Sequence, residues 1–129
     1  MNEPFFLTLD EVLQIHARSL AEHGGSEGVR EPGLVESALA SARNTWYCGN
    51  GDLFDVAASY AFHLAESQAF VDGNKRTAVV AAMVFLAKNG VYDRPPTWSL
   101  YSAMIDVAEK RKTKADLAAI FRQCAQPEA

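Results

Sequence analysis

The stretch AESQAFVDGNKRTAVVAA, Ala65 to Ala82, decides how this chain is read. From Thr77 to Ala87 the sequence carries no charge, which marks a buried helix too short for the ~20 residues of a membrane span. Just before it stands a dense polar run, Asp72-Gly73-Asn74-Lys75-Arg76. Gly73 permits a left-handed or close-approach backbone. The N–H groups of Gly73, Asn74, Lys75 and Arg76 then fall at the free N-terminus of that helix. Unpaired amides and the positive end of the helix dipole make an anion site there. Lys75 and Arg76 add charge, and Arg can grip phosphate oxygens in a bidentate fork. Asp72 beside such a nest suits a Mg²⁺ ion shared with phosphate oxygens. Phe70 is predicted to point inward and pin the loop. The plainer alternative stays open: Asp-Gly-Asn is also an ordinary turn, with Asp72 or Asn74 capping the helix. The run is not a Walker A loop, because the first glycine of GxxxxGK[ST] is missing.

Outward from this loop the chain reads as helix after helix. Thr8 and Glu11 form a capping box before an apolar face of Leu9, Val12, Leu13, His16 and Leu20, and Gly24-Gly25 ends that helix. Pro32 opens a second, shorter helix over REPGLVESALASARN, with Leu34, Ala38 and Leu39 inward. Asp52 caps a third, predicted from Leu53 to Ser67 and central because it is apolar on two sides. The fourth is predicted from Asn74 or Lys75 to Asn89-Gly90. VYDRPPTW is irregular, since its prolines oppose a helix, and is the one candidate for a strand or small flap. SLYSAMIDVAEK is a fifth helix, with Leu100, Met104, Val107 and Ala108 inward. TKADLAAIFRQCA is a sixth, capped by Thr113 and Asp116. The expectation is an all-α single domain, a compact bundle of about six helices over residues 1–126 with the loop between two central helices and a tail at 127–129.

Composition narrows the function. The chain has 129 residues, 49% hydrophobic and 22% charged, with a net charge of −4. Such a chain folds around one core. Its acidic balance argues against broad nucleic-acid binding. The only basic run, Glu109 to Lys114, reads as a solvated inter-helix loop. Cys48 and Cys124 make no metal spacing and read as free thiols. With no leader pattern and no membrane span, the expected compartment is the cytoplasm.

QAFVDGNKRT, Gln68 to Thr77, resembles the signature of the Fic/Doc family, His-x-Phe-x-Asp/Glu/Asn-Gly/Ala-Asn-Gly/Lys-Arg. FLTLDEVLQIH, GGSEGVREPGLVESALA and DLFDVAASYAFHLAES agree with it. Lys75 after Asn74 is similar to the Doc (death-on-curing) branch. The resemblance implies a helical bundle, with ATP and Mg²⁺ bound at the loop. It implies Phe70 as anchor, Asp72 as metal ligand and Gly73 and Asn74 as the anion nest, Asn74 donating also from its side chain. Lys75 and Arg76 would contact phosphates. Arg30 gains some weight, with no role derived. It further implies a toxin of a toxin–antitoxin pair that phosphorylates a translation factor of the elongation factor Tu class, and an antitoxin whose C-terminal segment docks near the site. Branches that transfer a nucleotide monophosphate carry a second Arg three residues after the first. Val79 stands there, which favours transfer of the terminal phosphoryl group.

One position departs. Where the family has its general-base His, this chain has Gln68, which has no useful proton affinity near neutral pH. His16, His23 and His63 read as packing or surface residues rather than substitutes. Ser67 and Ala69 also differ from the Asn and Pro common beside that His, which favours natural divergence over a deliberate change. The expectation is an impaired phosphotransferase. The alternatives are an inactive nucleotide- or antitoxin-binding module, and nucleotide monophosphate transfer (AMPylation).

Overall fold

A computed structural model describes residues 3–125 and shows six helices. These are α1 (Leu9–His23), α2 (Pro32–Tyr47), α3 (Leu53–Ser67), α4 (Asn74–Lys88), α5 (Thr97–Ala108) and α6 (Lys114–Ala125). The expected tail, 127–129, lies outside the described residues. The fold is all-α, as the periodicity predicts.

α3 is the axis. It packs against α2, α4 and α6, while α1 and α5 lie on α4. Its sequence explains this place: Val56, Ala57, Ala58, Tyr60, Ala61 and Leu64 are all buried. The small alanines let neighbouring helices approach, and each large apolar side chain so buried stabilises the fold by about 1.5–3 kcal/mol. Asp52 fixes where α3 begins: its carboxylate accepts from the N–H groups of Phe54 and Asp55 at 3.0 and 2.9 Å. Arg122 of α6 reaches the same carboxylate at 3.0 Å, joining the last helix to this cap.

Several local expectations need correcting. α2 is not short: it runs on through Thr45, Trp46 and Tyr47, because nothing in that segment stops it before the Cys48-Gly49 turn. Its buried face is Val35, Ala38, Leu39 and Ala42, and Leu34 is exposed. α5 begins at Thr97 rather than Ser99, since Pro96 (φ −56°, ψ 141°) is compatible with a helix cap. Ala108 at its end is exposed, and Ala103 takes its place inward. No strand forms in VYDRPPTW. The bridge that does form is an isolated antiparallel pair between Val29 and Phe70.

Lys88 and Asn89 tie the end of α4 to the N-terminal segment. Lys88 Nζ lies 2.7 Å from Glu11 Oε1, and Asn89 exchanges hydrogen bonds with the Phe5 backbone at 2.8 and 3.0 Å. The Lys88 hydrogen bond holds the Glu11 carboxyl below its ordinary range. Tyr60 anchors the same segment from inside: its hydroxyl accepts from the Leu7 N–H at 3.0 Å, and both residues are fully buried.

Burial pushes the Tyr60 phenol up to about 12. The raised value stabilises the fold fully below the unfolded phenol's pKa near 10 and loses that stabilisation as pH climbs to about 12. A two-unit shift corresponds to roughly 2–3 kcal/mol. Tyr60→Phe should therefore cost about 1–3 kcal/mol at neutral pH, from the orphaned Leu7 N–H. It should also remove one component of alkaline destabilisation. Urea midpoints at pH 8, 10 and 11.5 test this; parallel pH profiles for the two proteins would refute it.

Candidate functional site

Gln68 to Gly73 join the two central helices, and each residue's conformation is set by a neighbour. Gln68 ends α3 in the left-handed region (φ 49°, ψ 42°). That turn sends the chain away from the helix axis and leaves the Gln68 side chain lining the cavity in front of the loop. Phe70 follows, fully buried, its ring stacked on that of His16 at 3.9 Å between centroids. Gly73 (φ 78°) then turns the chain into α4.

Asn74 locks this loop. Its Oδ1 accepts from the Phe70 N–H and its Nδ2 donates to the Phe70 carbonyl, each at 3.0 Å. Both ends of the side chain are thus engaged internally. The bond to the Phe70 carbonyl uses one of the two Nδ2 hydrogens, which leaves the other, beside the Asn74 backbone N–H, for the expected side-chain donation. The Gly73 N–H is also taken, by Asp72 Oδ1 at 2.9 Å. The donors left at the start of α4 are the N–H groups of Asn74, Lys75 and Arg76, since the first intrahelical bond runs from Thr77 to the Gly73 carbonyl at 3.0 Å. Exposed Lys75 and half-buried Arg76 flank them. The cavity in front measures about 350 Å³, and Gln68, Asp72, Gly73, Asn74, Lys75 and Arg76 all line it. Every loop residue singled out from the sequence is thus at one place, Phe70 beneath it and the rest around it.

The Asp72 carboxylate accepts from Ser26 N–H at 3.2 Å on one oxygen and from Gly73 N–H on the other. The Ser26 and Gly73 amides hold it below the ordinary carboxylate range, with Arg76 and His16 adding smaller attractions. It is ionised at neutral pH and solvent-exposed. No group of three or more His, Cys, Asp or Glu gathers to hold a metal among the described residues. Mg²⁺ is commonly held by one carboxylate together with phosphate oxygens and water, and needs no such group. Asp72 fits that role, with lone pairs to spare on both oxygens.

Two supports were not visible in the sequence. The segment Gly25–Glu31 lies across the loop as a strap. Arg30 and Glu31 donate from their N–H groups to the Ala69 carbonyl at 2.6 and 3.2 Å, and the Val71 N–H donates to the Gly28 carbonyl at 3.0 Å. Arg30 thus serves through its backbone. Gly25 (φ +122°) admits no side chain without strain, and a Cβ there would stand 2.9 Å from Asp72 Oδ2. The second support is His16. Its Nε2 lies 2.8 Å from the Asp72 carbonyl, and since a carbonyl only accepts, Nε2 carries the hydrogen. Together with the Phe70 stack, this makes buried His16 a prop under the loop. Glycines in GGSEGVR and a histidine on the apolar face of α1 were the available signals.

His63 offers no free base. It is half-buried on α3, and its Nε2 lies 3.0 Å from Lys114 Nζ. Burial first, and Lys114 second, hold its pKa down. The neutral ring therefore accepts from the Lys114 ammonium.

The part of the chain that holds this loop also matches known proteins. The profile of the Fic/DOC family matches residues 6–86. The chain belongs to the Fic/DOC family. Among curated Fic/DOC relatives, the "Protein kinase doc" of Escherichia phage P1 is 35% identical over 89 residues, covering 67% of this chain and 71% of that protein. The "Toxin Doc" of Mycolicibacterium smegmatis is 43% identical over 88 residues, covering 67% of this chain and 65% of that protein. The chain therefore spans somewhat under two thirds of this second relative. The Fic/DOC match takes in the strap, the loop and most of α4, and ends before α5.

Proposed function

We propose that this protein is a Doc-like toxin that binds ATP with Mg²⁺ at the loop Asp72–Arg76 and transfers the terminal phosphoryl group to a hydroxyl of a translation factor of the elongation factor Tu class. The observation that carries this reading is the start of α4, where three unpaired backbone N–H groups, Lys75 and Arg76 converge beside ionised Asp72. The names of the two relatives, a protein kinase and a toxin, support the direction.

In this reading the amides of Asn74, Lys75 and Arg76 cradle phosphate oxygens, and the Lys75 and Arg76 side chains neutralise charge as the phosphoryl group moves. Asp72 would hold Mg²⁺, which supplies charge neutralisation across the phosphates. Gln68 can orient the acceptor hydroxyl through its carbonyl oxygen but cannot take its proton. That one substitution makes turnover slow while leaving binding in place. Val79 is buried, so the position gives no second arginine to the phosphates, in keeping with phosphoryl rather than nucleotide transfer. A groove of about 1080 Å³ between α1, α4 and α5 shares Arg76 and Tyr101 with the loop cavity. It has the size and place to receive the C-terminal segment of an antitoxin and so block the site. The Gln68 departure also supports a second reading, a binding module that holds nucleotide or antitoxin without chemistry.

Both readings require the anion nest. Lys75→Ala with Arg76→Ala should weaken MgATP binding at least tenfold, measured by calorimetry, because charge-assisted hydrogen bonds to phosphate are worth about 1.5–3 kcal/mol each. Unchanged affinity would remove the nest from the argument.

A further inference from the structure

The basic run that the sequence left as a solvated loop resolves into two kinds of cation. Arg111 and Lys112 turn to acids of their own turn: Arg111 lies 2.8 Å from Asp106 and also pairs with Glu109, and Lys112 lies 3.7 Å from Asp106. Lys110 and Lys114 have no carboxylate partner among the described residues. Lys110 sits at a left-handed position (φ 63°). Lys114 is held by His63 at 3.0 Å and over the Phe62 ring at 5.6 Å. An ammonium so fixed beside a neutral imidazole and an aromatic face is pre-organised, not freely waving.

Both lysines line a cleft of about 690 Å³ between the end of α3, α5 and the α5–α6 turn, within the range of about 300–1,000 Å³ usual for ligand clefts. Lys75 and Lys112 line it too, so four of the chain's 12 Lys and Arg residues face one cleft, against Glu66 as its single acid. This is a positive cavity on a chain of net charge −4. It is also continuous with the site: Ala65, Gln68 and Lys75 line both this cleft and the loop cavity. Whatever lies in it borders Gln68, while Asp72 lines the loop cavity and not this cleft. Apart from Phe62, Ala65, Glu66, Gln68 and Lys75, its walls come from α5, the turn after it and the first residue of α6, beyond the part matched by the family profile.

We propose that this cleft docks an acidic segment of the acceptor protein and delivers a hydroxyl from that segment to Gln68. The proposal rests on the phosphotransfer reading only for the identity of the occupant as acceptor. Charge complementarity selects the segment, and Phe62, Met104 and Val107 give it apolar footing.

The test uses the full chain and a fluorescein-labelled peptide, a threonine flanked on both sides by glutamates, with a glutamine-flanked peptide as its neutral counterpart. By fluorescence anisotropy at low salt the acidic peptide should bind and the neutral one should not. Lys110→Gln with Lys114→Gln should weaken binding about tenfold. Arg111→Gln, which removes one unit of charge outside the cleft, as Lys110→Gln alone does inside it, should leave it unchanged. MgATP affinity should be the same in all variants. Should the double variant lose thermal stability, Lys110→Gln alone carries the test with a smaller loss. Equal peptide affinity in the lysine variants and the unaltered chain would overturn the proposal. So would an equal loss from Arg111→Gln, which would mean diffuse surface charge, or a parallel loss of MgATP, which would make the cleft a nucleotide subsite. If the unaltered chain binds the acidic peptide in this lysine-dependent way but not MgATP, the docking cleft stands and the phosphotransfer reading falls.

Discussion

Gln68→His should raise phosphoryl transfer by about 10²–10⁴-fold, the usual contribution of a positioned general base. The backbone is ready for the change. Gln68 occupies the left-handed region, where a side chain with a Cβ is uncommon but histidine is several-fold enriched. An imidazole there would look into the cavity that Asp72, Lys75 and Arg76 line. Its proton affinity suits removal of a hydroxyl proton near neutral pH, so the variant's rate should climb with pH through about 6.5. The unaltered chain should show no such rise. Transfer of label from the γ-phosphate of ATP to a translation factor measures the rate, and expression in bacteria without an antitoxin should arrest growth only with histidine in place. Two forms equally harmless and equally silent in transfer would favour the binding-module reading.

Phe70→Ala should destabilise the fold by about 3–5 kcal/mol, the range for removing a fully buried phenylalanine ring. The ring is at 0% exposure and lies flat on His16 at 3.9 Å. Its loss opens a cavity directly under Asp72 and strips His16 of its packing partner. Loop geometry should suffer with stability: MgATP affinity, measured well below the variant's melting temperature, should fall too. Phe70→Leu, which keeps most of the volume, should retain more of both. Chemical denaturation gives the stability difference, and a cost below about 1.5 kcal/mol would mean the ring is not the anchor described.

Much of this was legible in the residues because the signals were local. Thr8 with Glu11, Asp52 with Asp55, and Thr113 with Asp116 each close a capping box within one turn, and Gly73 marks where α4 must start. What escaped was long-range. The Ser26–Asp72 and His16–Asp72 contacts join residues 46 and 56 apart, and no periodicity announces them. The inward use of Asn74 escaped for another reason. An asparagine before a lysine and an arginine serves a ligand or its own loop equally well, and geometry alone distinguishes the two. The division of the basic run, Arg111 and Lys112 turned to Asp106 while Lys114 turns to His63, depends likewise on where α6 returns to α3.

The strap has a consequence for the order of assembly. α3 and α4 are joined by the short segment 68–73, so their pairing closes quickly. Fastening Gly25–Glu31 over the loop requires bringing together segments separated by all of α2 and all of α3, a closure with a larger entropic cost. The exposed strap is held mainly by a few hydrogen bonds, from and to the backbone at Ala69 and Val71 and to the Asp72 carboxylate. Contacts of that kind are drawn from the low end of a protein's stability and open before the helices do. The bundle can therefore be intact while the loop before α4 is not yet set. A fastening of few contacts thus lies over the polar run Asp72–Arg76, so the loop can open and close without the helices.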